Sequence, residues 1–76
     1  MVFEKLCKIV AEQFGVSESE LTMDTNFIED LDADSLDLVE VMMNVEETFH
    51  IDEIVEEELQ SLKTVGDVVN YISDRI

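Results

Sequence analysis

With 76 residues and a formal net charge of −16, the chain is one small and strongly acidic domain. Hydrophobic residues make up 46% of it, which is too many for a disordered acidic tail, so we expect the chain to fold. The charge excludes nucleic acid and anionic membrane surfaces as binding targets, since both attract basic residues, and it favours partners with basic patches.

The cysteine count and the hydropathy pattern indicate a cytoplasmic location. Cys7 is the single cysteine, so an internal disulfide is excluded, and its place near the edge of an apolar helix face predicts a packing role. The sequence has no apolar run near 18 residues and no signal-peptide pattern. We therefore expect a soluble chain without membrane insertion.

Apolar residues recur with helical spacing from the start of the chain. Gly15 can adopt the left-handed conformation that ends a helix, and Val16 can then fold back onto the last turn. The first predicted helix has one apolar face, formed by Val2, Phe3, Leu6, Ile9, Val10 and Phe14.

A long connection, residues 16–34, follows the first helix. Loops of this length are uncommon in compact domains and usually have a function. We expect its apolar residues to attach it to the core: Leu21, Met23, Phe27, Ile28 and Leu31.

A second helix is predicted to begin near Asp34 or Ser35, either of which can cap it, and to end near Phe49. At 100° per residue one side forms a core stripe of Leu38, Val41, Met42, Val45 and Phe49. Leu36 and Met43 fall on the opposite side, with Val39 between the two regions. They either form a docking surface or pack against the long connection, and the surrounding acids favour docking.

Acidic residues dominate the middle of the chain. No Lys or Arg occurs between Lys8 and Lys63, so the segment around Ser35 carries a one-sided negative field. Such a field attracts partners with basic surfaces.

Two further helices are predicted towards the end of the chain. Residues 54–62 indicate a short acidic helix anchored by Leu59 and Leu62, and Thr64 with Asp67 has the pattern of a capping box. The last helix has the apolar stripe Val65, Val68, Val69, Ile72 and Ile76. Together these elements predict an all-α fold: a small antiparallel four-helix bundle with three longer helices and one short one, a long loop between the first two, and a single domain over residues 1–76.

Ser35 is exposed by its position but has no partner for catalysis. The only histidine, His50, lies fifteen residues further along the same helix, which is about 20 Å at 1.5 Å per residue. We expect His50 to lie at the end of that helix, where it meets the helix dipole. No catalytic residue is predicted, and the pattern indicates a serine that another protein modifies.

Asp30, Asp32 and Asp34 alternate like the start of an EF-hand calcium loop. That loop needs glycine at its sixth position and glutamate at its twelfth, where this chain has Ser35 and Val41. We therefore predict no defined metal site, although weak and non-specific binding of Ca²⁺ or Mg²⁺ stays open.

Residues 29–40, Glu-Asp-Leu-Asp-Ala-Asp-Ser-Leu-Asp-Leu-Val-Glu, resemble the prosthetic-group attachment signature of acyl carrier proteins, in particular those of bacterial type II fatty acid synthesis. The resemblance extends over the whole chain and includes residues 63–67 at the start of the last helix. One departure is residues 49–54, which are one residue longer than in the commonest bacterial form.

The resemblance implies that a phosphopantetheinyl transferase attaches 4′-phosphopantetheine to Ser35, and that the thiol of this arm carries acyl groups as thioesters. It implies a non-enzymatic, monomeric carrier that shelters the acyl chain between its helices. Partners would be fatty acid synthesis enzymes with basic patches, contacting Asp34, Leu36, Asp37, Val39, Glu40, Met43 and Glu46.

Other functions remain open at this stage. A carrier of D-alanine, or of polyketide or peptide intermediates, would have the same fold and the same serine. Outside the family, the chain could be an acidic interaction module or a calcium-binding protein.

Overall fold

Four α-helices surround one core in the computed structural model, which describes residues 2–76. They are α1 (Val2–Phe14), α2 (Ser35–Phe49), α3 (Glu56–Ser61) and α4 (Val65–Ser73), and a short 3₁₀ helix (Glu18–Glu20) lies in the connection after α1. Residues 2–76 form no β-strand, and none of their helices combines the length and apolarity needed to span a bilayer. The predicted all-α bundle of three longer helices and one short one is confirmed.

The end of α1 follows the predicted geometry. Gly15 has a φ of 66°, in the left-handed region where glycine has no steric penalty. The backbone N–H of Val16 donates to the carbonyl oxygen of Ala11 at 3.2 Å, and Val16 is half-buried against the core. This 6→1 bond and its apolar contact form a Schellman motif.

Side chains from α1, α2, α4 and the long connection fill the core. The predicted stripe of α2 is confirmed, because Val41, Met42 and Val45 are buried, and Leu38 and Phe49 are half-buried against them. The largest fully buried side chains are Phe27, Leu6, Ile72, Val10, Val41, Val45, Val65 and Val68.

Three side chains expected in the core are exposed instead: Met23, Ile28 and Ile76. Met23 joins the core through its backbone, since its carbonyl oxygen accepts the N–H of Gly66 at 2.8 Å. A Cβ at position 66 would lie 2.8 Å from that oxygen, so the approach requires glycine. Ile76 lies beyond the end of α4 at Ser73, where the helical spacing no longer applies.

The end of α2 has the same geometry as the end of α1, without a glycine. His50 follows the helix in the left-handed conformation, with a φ of 55°, and Ile51 N–H donates to the carbonyl oxygen of Glu46 at 3.2 Å. The predicted position of His50 at the helix end is confirmed, but its left-handed backbone was not expected.

α3 is shorter than the predicted segment 54–62. The backbone N–H of Ile54 donates to Glu46 Oε2 at 2.8 Å, so this residue is held by α2 and the helix begins only at Glu56. The predicted contacts of this segment with the core are confirmed, since Leu62 is buried and Leu59 half-buried.

α4 begins with the predicted capping box: Asp67 N–H donates to Thr64 Oγ1, and Thr64 N–H donates to Asp67 Oδ2, both at 3.1 Å.

Candidate functional site

Ser35 is the first residue of α2, and the residue before it caps the helix. Asp37 N–H donates to Asp34 Oδ1 at 2.9 Å, and Asp34 N–H donates to Asp37 Oδ2 at 3.2 Å. Because this reciprocal pair satisfies the helix start, the hydroxyl of Ser35 is not needed as a cap. Ser35 is exposed, and its Oγ makes no side-chain hydrogen bond within residues 2–76. The hydroxyl is therefore available to an incoming reagent.

The connection before α2 is held to the start of α4 by backbone pairing. Phe27 N–H donates to the carbonyl oxygen of Lys63 at 3.0 Å, and Val65 N–H donates to that of Thr25 at 2.9 Å. The buried side chain of Phe27 reinforces this attachment, and its carbonyl oxygen accepts the N–H of Ala33 at 2.9 Å. Ala33 is two residues before Ser35, so the pairing fixes where α2 begins.

Asn26 shapes the turn between that pairing and Ser35. Its Oδ1 accepts the backbone N–H groups of Ile28 and Glu29, both at 2.9 Å, and its own N–H donates to Asp30 Oδ2 at 2.7 Å. An asparagine that bonds the backbone two residues on forms an Asx turn. Asp32 then turns the chain with a φ of 54°, a conformation that Asp tolerates better than most residues. No sequence pattern singled out Asn26, although the ability of an asparagine side chain to bond the backbone two residues on was the available signal.

A cavity of about 700 Å³ lies between α2 and α3, and Ser35 is part of its lining. Ligand sites of small molecules typically have volumes in this range and mostly apolar walls. The apolar lining consists of Ile28, Leu38, Val39, Ile54, Leu59 and Leu62. Ile28, exposed where a core position was expected, thus lies at the rim of this cavity. The sequence did not reveal that residues of the loop and of α3 meet here.

The outer face of α2 is apolar at its centre. Leu36 is 72% exposed, Met43 59% and Val39 40%, so the alternative in which these side chains pack against the long connection is wrong. Val39 also lines the cavity, whereas Leu36 and Met43 do not. The exposed strip has the layout of a docking surface with an apolar centre and a charged rim.

The acids around this strip are held in place by hydrogen bonds. Asp34 and Asp37 form the capping box, Glu40 Oε2 accepts from Gln13 Nε2 at 2.6 Å, and Glu46 Oε2 accepts from Ile54 N–H at 2.8 Å. None of the four is in a salt bridge; the ion pair formed within residues 2–76 is elsewhere. Their carboxylates are oriented without being neutralised by a basic side chain.

Cys7 belongs to the core rather than to the site. It is buried in α1, and burial, with a further contribution from the negative charge of Glu18, raises the pKa of its thiol. A thiol with a raised pKa is a poor nucleophile at neutral pH, which agrees with the predicted packing role.

Comparisons with known proteins connect this arrangement to a family. The model of the phosphopantetheine attachment site matches residues 4–72. An acyl carrier protein of Clostridium acetobutylicum is 53% identical over 72 residues, which cover 95% of this chain and 92% of that protein. One from Clostridium perfringens strain 13 is 49% identical over 73 residues, covering 96% and 95%.

A solved structure supports the same assignment. The acyl carrier protein from Enterococcus faecalis superimposes with a TM-score of 0.82 at 32% identity, covering 99% of this chain and 94% of that one. A serine at the start of an acidic helix, an apolar cavity beside it and relatives matched over nearly their full length all agree. The chain therefore belongs to the acyl carrier protein family, whose members carry acyl groups on 4′-phosphopantetheine.

Proposed function

We propose that Ser35 is the residue of this chain to which 4′-phosphopantetheine is attached. The observation that carries the proposal is the position of Ser35: exposed, not required for helix capping, and on the lining of the cavity between α2 and α3. A group attached to its Oγ can extend into solvent or turn back along the cavity. Ser35 and the cavity beside it therefore fit the attachment of 4′-phosphopantetheine.

The carrier acts by holding and sheltering its cargo. 4′-Phosphopantetheine, when attached, supplies a thiol that binds acyl groups as thioesters. The side chains of the cavity receive the hydrocarbon part, since burial of each CH₂ contributes ~0.8 kcal/mol. Leu38, Leu59 and Leu62 exclude water from the bound chain. An apolar lining suits a fatty acyl chain better than D-alanine or a peptide, so fatty acid synthesis is the proposed pathway.

Partner enzymes dock on the outer face of α2. Leu36, Val39 and Met43 provide the apolar contacts, and the rim acids provide attraction to Arg and Lys on the partner. The rim consists of Asp34, Asp37, Glu40 and Glu46. The proposed partners are a phosphopantetheinyl transferase and fatty acid synthesis enzymes with basic patches. Encounter is accelerated by charge, while the small apolar centre lets the carrier leave quickly.

The chain functions as a single carrier domain over residues 1–76, as a monomer in the cytoplasm, and leaves catalysis to its partners. Ser35 is the first residue of α2 and His50 follows its last one, so the histidine is too distant to act as a base for the serine. The bacterial relatives support the cytoplasmic location.

The test is transfer of the cofactor from coenzyme A by a phosphopantetheinyl transferase, followed by intact mass. The parent chain should gain one phosphopantetheine, and Ser35→Ala should gain none while keeping the helical circular dichroism of the parent. Ser73→Ala is the control, because Ser73 is exposed at the end of α4, and it should be modified like the parent. Modification of Ser35→Ala at another serine would refute the assignment.

A further inference from the structure

Three side chains join α3 to the end of α4. Arg75 Nη2 lies 2.7 Å from Glu58 Oε2, and Tyr71 Oη donates to Glu58 Oε1 at 3.0 Å, so both carboxylate oxygens are engaged. The guanidinium carbon of Arg75 lies 3.5 Å from the centroid of the Tyr71 ring, and Arg75 Nη1 donates to the carbonyl oxygen of Tyr71 at 3.2 Å. We call Glu58, Tyr71 and Arg75 the α3–α4 clamp.

The clamp is unusual in a chain with so few basic residues. Within residues 2–76 the Arg75–Glu58 contact is the one salt bridge, although the chain has 20 acidic residues. Its side chains are only 35% and 38% exposed, so solvent screens the pair less than a fully exposed one. Burial and the bond to Glu58 raise the pKa of Tyr71, which keeps the phenol protonated as a donor.

α3 depends on such an attachment because it has few others. It contains six residues and no buried one, and its N-cap, Val55, offers no side-chain hydrogen bond. A helix this short is marginal on its own in water. Leu59 is its half-buried apolar contact with the core, and Leu59 also lines the cavity that Ser35 borders.

The position of α3 therefore determines the width of the cavity. Glu56, Leu59 and Gln60 of α3 line it together with Leu38 and Val39 of α2. Movement of α3 away from α2 opens the cavity, and the contacts of Glu58 with α4 oppose that movement. The hydrogen bond of Ile54 to Glu46 holds the chain before α3, which leaves the clamp to restrain the helix itself.

We propose that the α3–α4 clamp holds α3 over the cavity and sets how readily an acyl chain enters and leaves it. Glu58, Tyr71 and Arg75 are then positioning residues that act through the wall of the cavity. The acyl part of this inference rests on the proposed function, whereas the restraint on α3 is a property of the unloaded chain.

The first experiment measures amide hydrogen exchange of the unloaded chain by NMR. Tyr71→Phe removes only the hydroxyl, and Arg75→Gln removes the charge. Each should accelerate exchange at Leu59 and Leu62 by about two- to fivefold, the range expected for loss of one partly exposed polar contact. Arg75→Lys, which keeps the charge, should give an intermediate rate, and the core amide of Val45 should be unaffected.

The matched control is Glu57→Gln, which removes a carboxylate from the same helix. Glu57 is exposed and its side chain makes no hydrogen bond within the described residues. Equal exchange at Leu59 in this control and in Tyr71→Phe would overturn the proposal. Equal acceleration of amide exchange at Val45 and Leu59 would also overturn it, because the clamp would then support the whole fold rather than α3.

The second experiment uses the chain loaded with a long saturated acyl group and measures cleavage of the thioester by hydroxylamine. The clamp variants should lose the acyl group about two- to fivefold faster than Glu57→Gln, because the chain leaves the cavity more often. Faster exchange at Leu59 with unchanged cleavage would refute control of the cavity by the clamp. Failure of the parent chain to accept the cofactor, seen by intact mass, would instead count against the proposed function, and the exchange result would still decide the role of the clamp.

Discussion

Two adjacent methionines of α2 provide a direct test of how this helix is oriented. Met42 is buried and Met43 is exposed, although the two side chains have the same composition. Met42→Ala removes the thioether and its methyl group from the core, which costs about 2–3 kcal/mol from lost apolar burial together with the residual cavity. Met42 also lines a shallow surface cavity beside Ile54, so neighbouring side chains can relax and the cost should stay in the lower half of the usual range.

These free energies convert into measurable melting temperatures. For a chain of 76 residues, 1 kcal/mol corresponds to about 6 °C. Met42→Ala should therefore lower the melting temperature by about 12–18 °C. Met43→Ala changes an exposed position and should stay within about 3 °C, since surface substitutions usually cost less than about 0.5 kcal/mol.

The assay is thermal unfolding followed by circular dichroism, paired with kinetics of cofactor loading by the transferase. Met43→Ala should shorten the lifetime of the complex with the enzyme while leaving the melting temperature nearly unchanged, because it removes an apolar contact of the proposed docking surface. If Met43→Ala unfolds the chain and Met42→Ala does not, the assignment of the buried and exposed faces of α2 is wrong, and the proposed docking surface lies elsewhere on the helix.

Three further predictions concern charge and reactivity. Glu40→Lys should slow cofactor loading, chiefly through association, whereas Gln13→Ala, which removes only the hydrogen bond to Glu40, should not; equal rates in both variants would contradict an electrostatic role. Because the acids repel each other, salt or millimolar Mg²⁺ should raise the melting temperature at neutral pH, and an unchanged midpoint would exclude strong self-repulsion. The raised pKa of the Cys7 thiol favours the neutral form, so its contribution to stability is present below the usual thiol pKa of about 8.5 and is lost as the pH rises through the raised value. A thiol reagent at pH ~8 should thus react with Cys7 more slowly in the native than in the denatured chain, and equal rates would show that the side chain is accessible.

Sequence patterns predicted the features whose causes are local. Gly15 ended α1, Thr64 with Asp67 began α4, and the apolar stripe of α2 gave its buried side, because each signal acts within one or two turns of helix. The family resemblance depends on consecutive residues around Ser35, so it too is a local signal, and the comparisons confirmed it.

Features that depend on distant contacts could not be predicted in this way. The late start of α3 follows from a bond between Ile54 and Glu46 on another helix, and Ile28 is exposed because it borders a cavity that exists only after α2 and α3 have met. The left-handed backbone of His50 was not predicted, because no glycine occurs at the end of α2. The residues proposed for partner contacts, from Asp34 to Glu46, stay predictions until complexes are measured.

The backbone pairing between the segment at Asn26 and that at Thr64 has a consequence for the synthesis of this chain. The two partners are far apart in sequence, so the turn leading into α2 cannot take its final form until the ribosome has released the start of α4. Pairings across such separations form late, because the intervening chain must first be ordered. We therefore expect a nascent chain that ends before Val65 to present Ser35 in a mobile segment, and recognition by the proposed transferase to follow release of the start of α4.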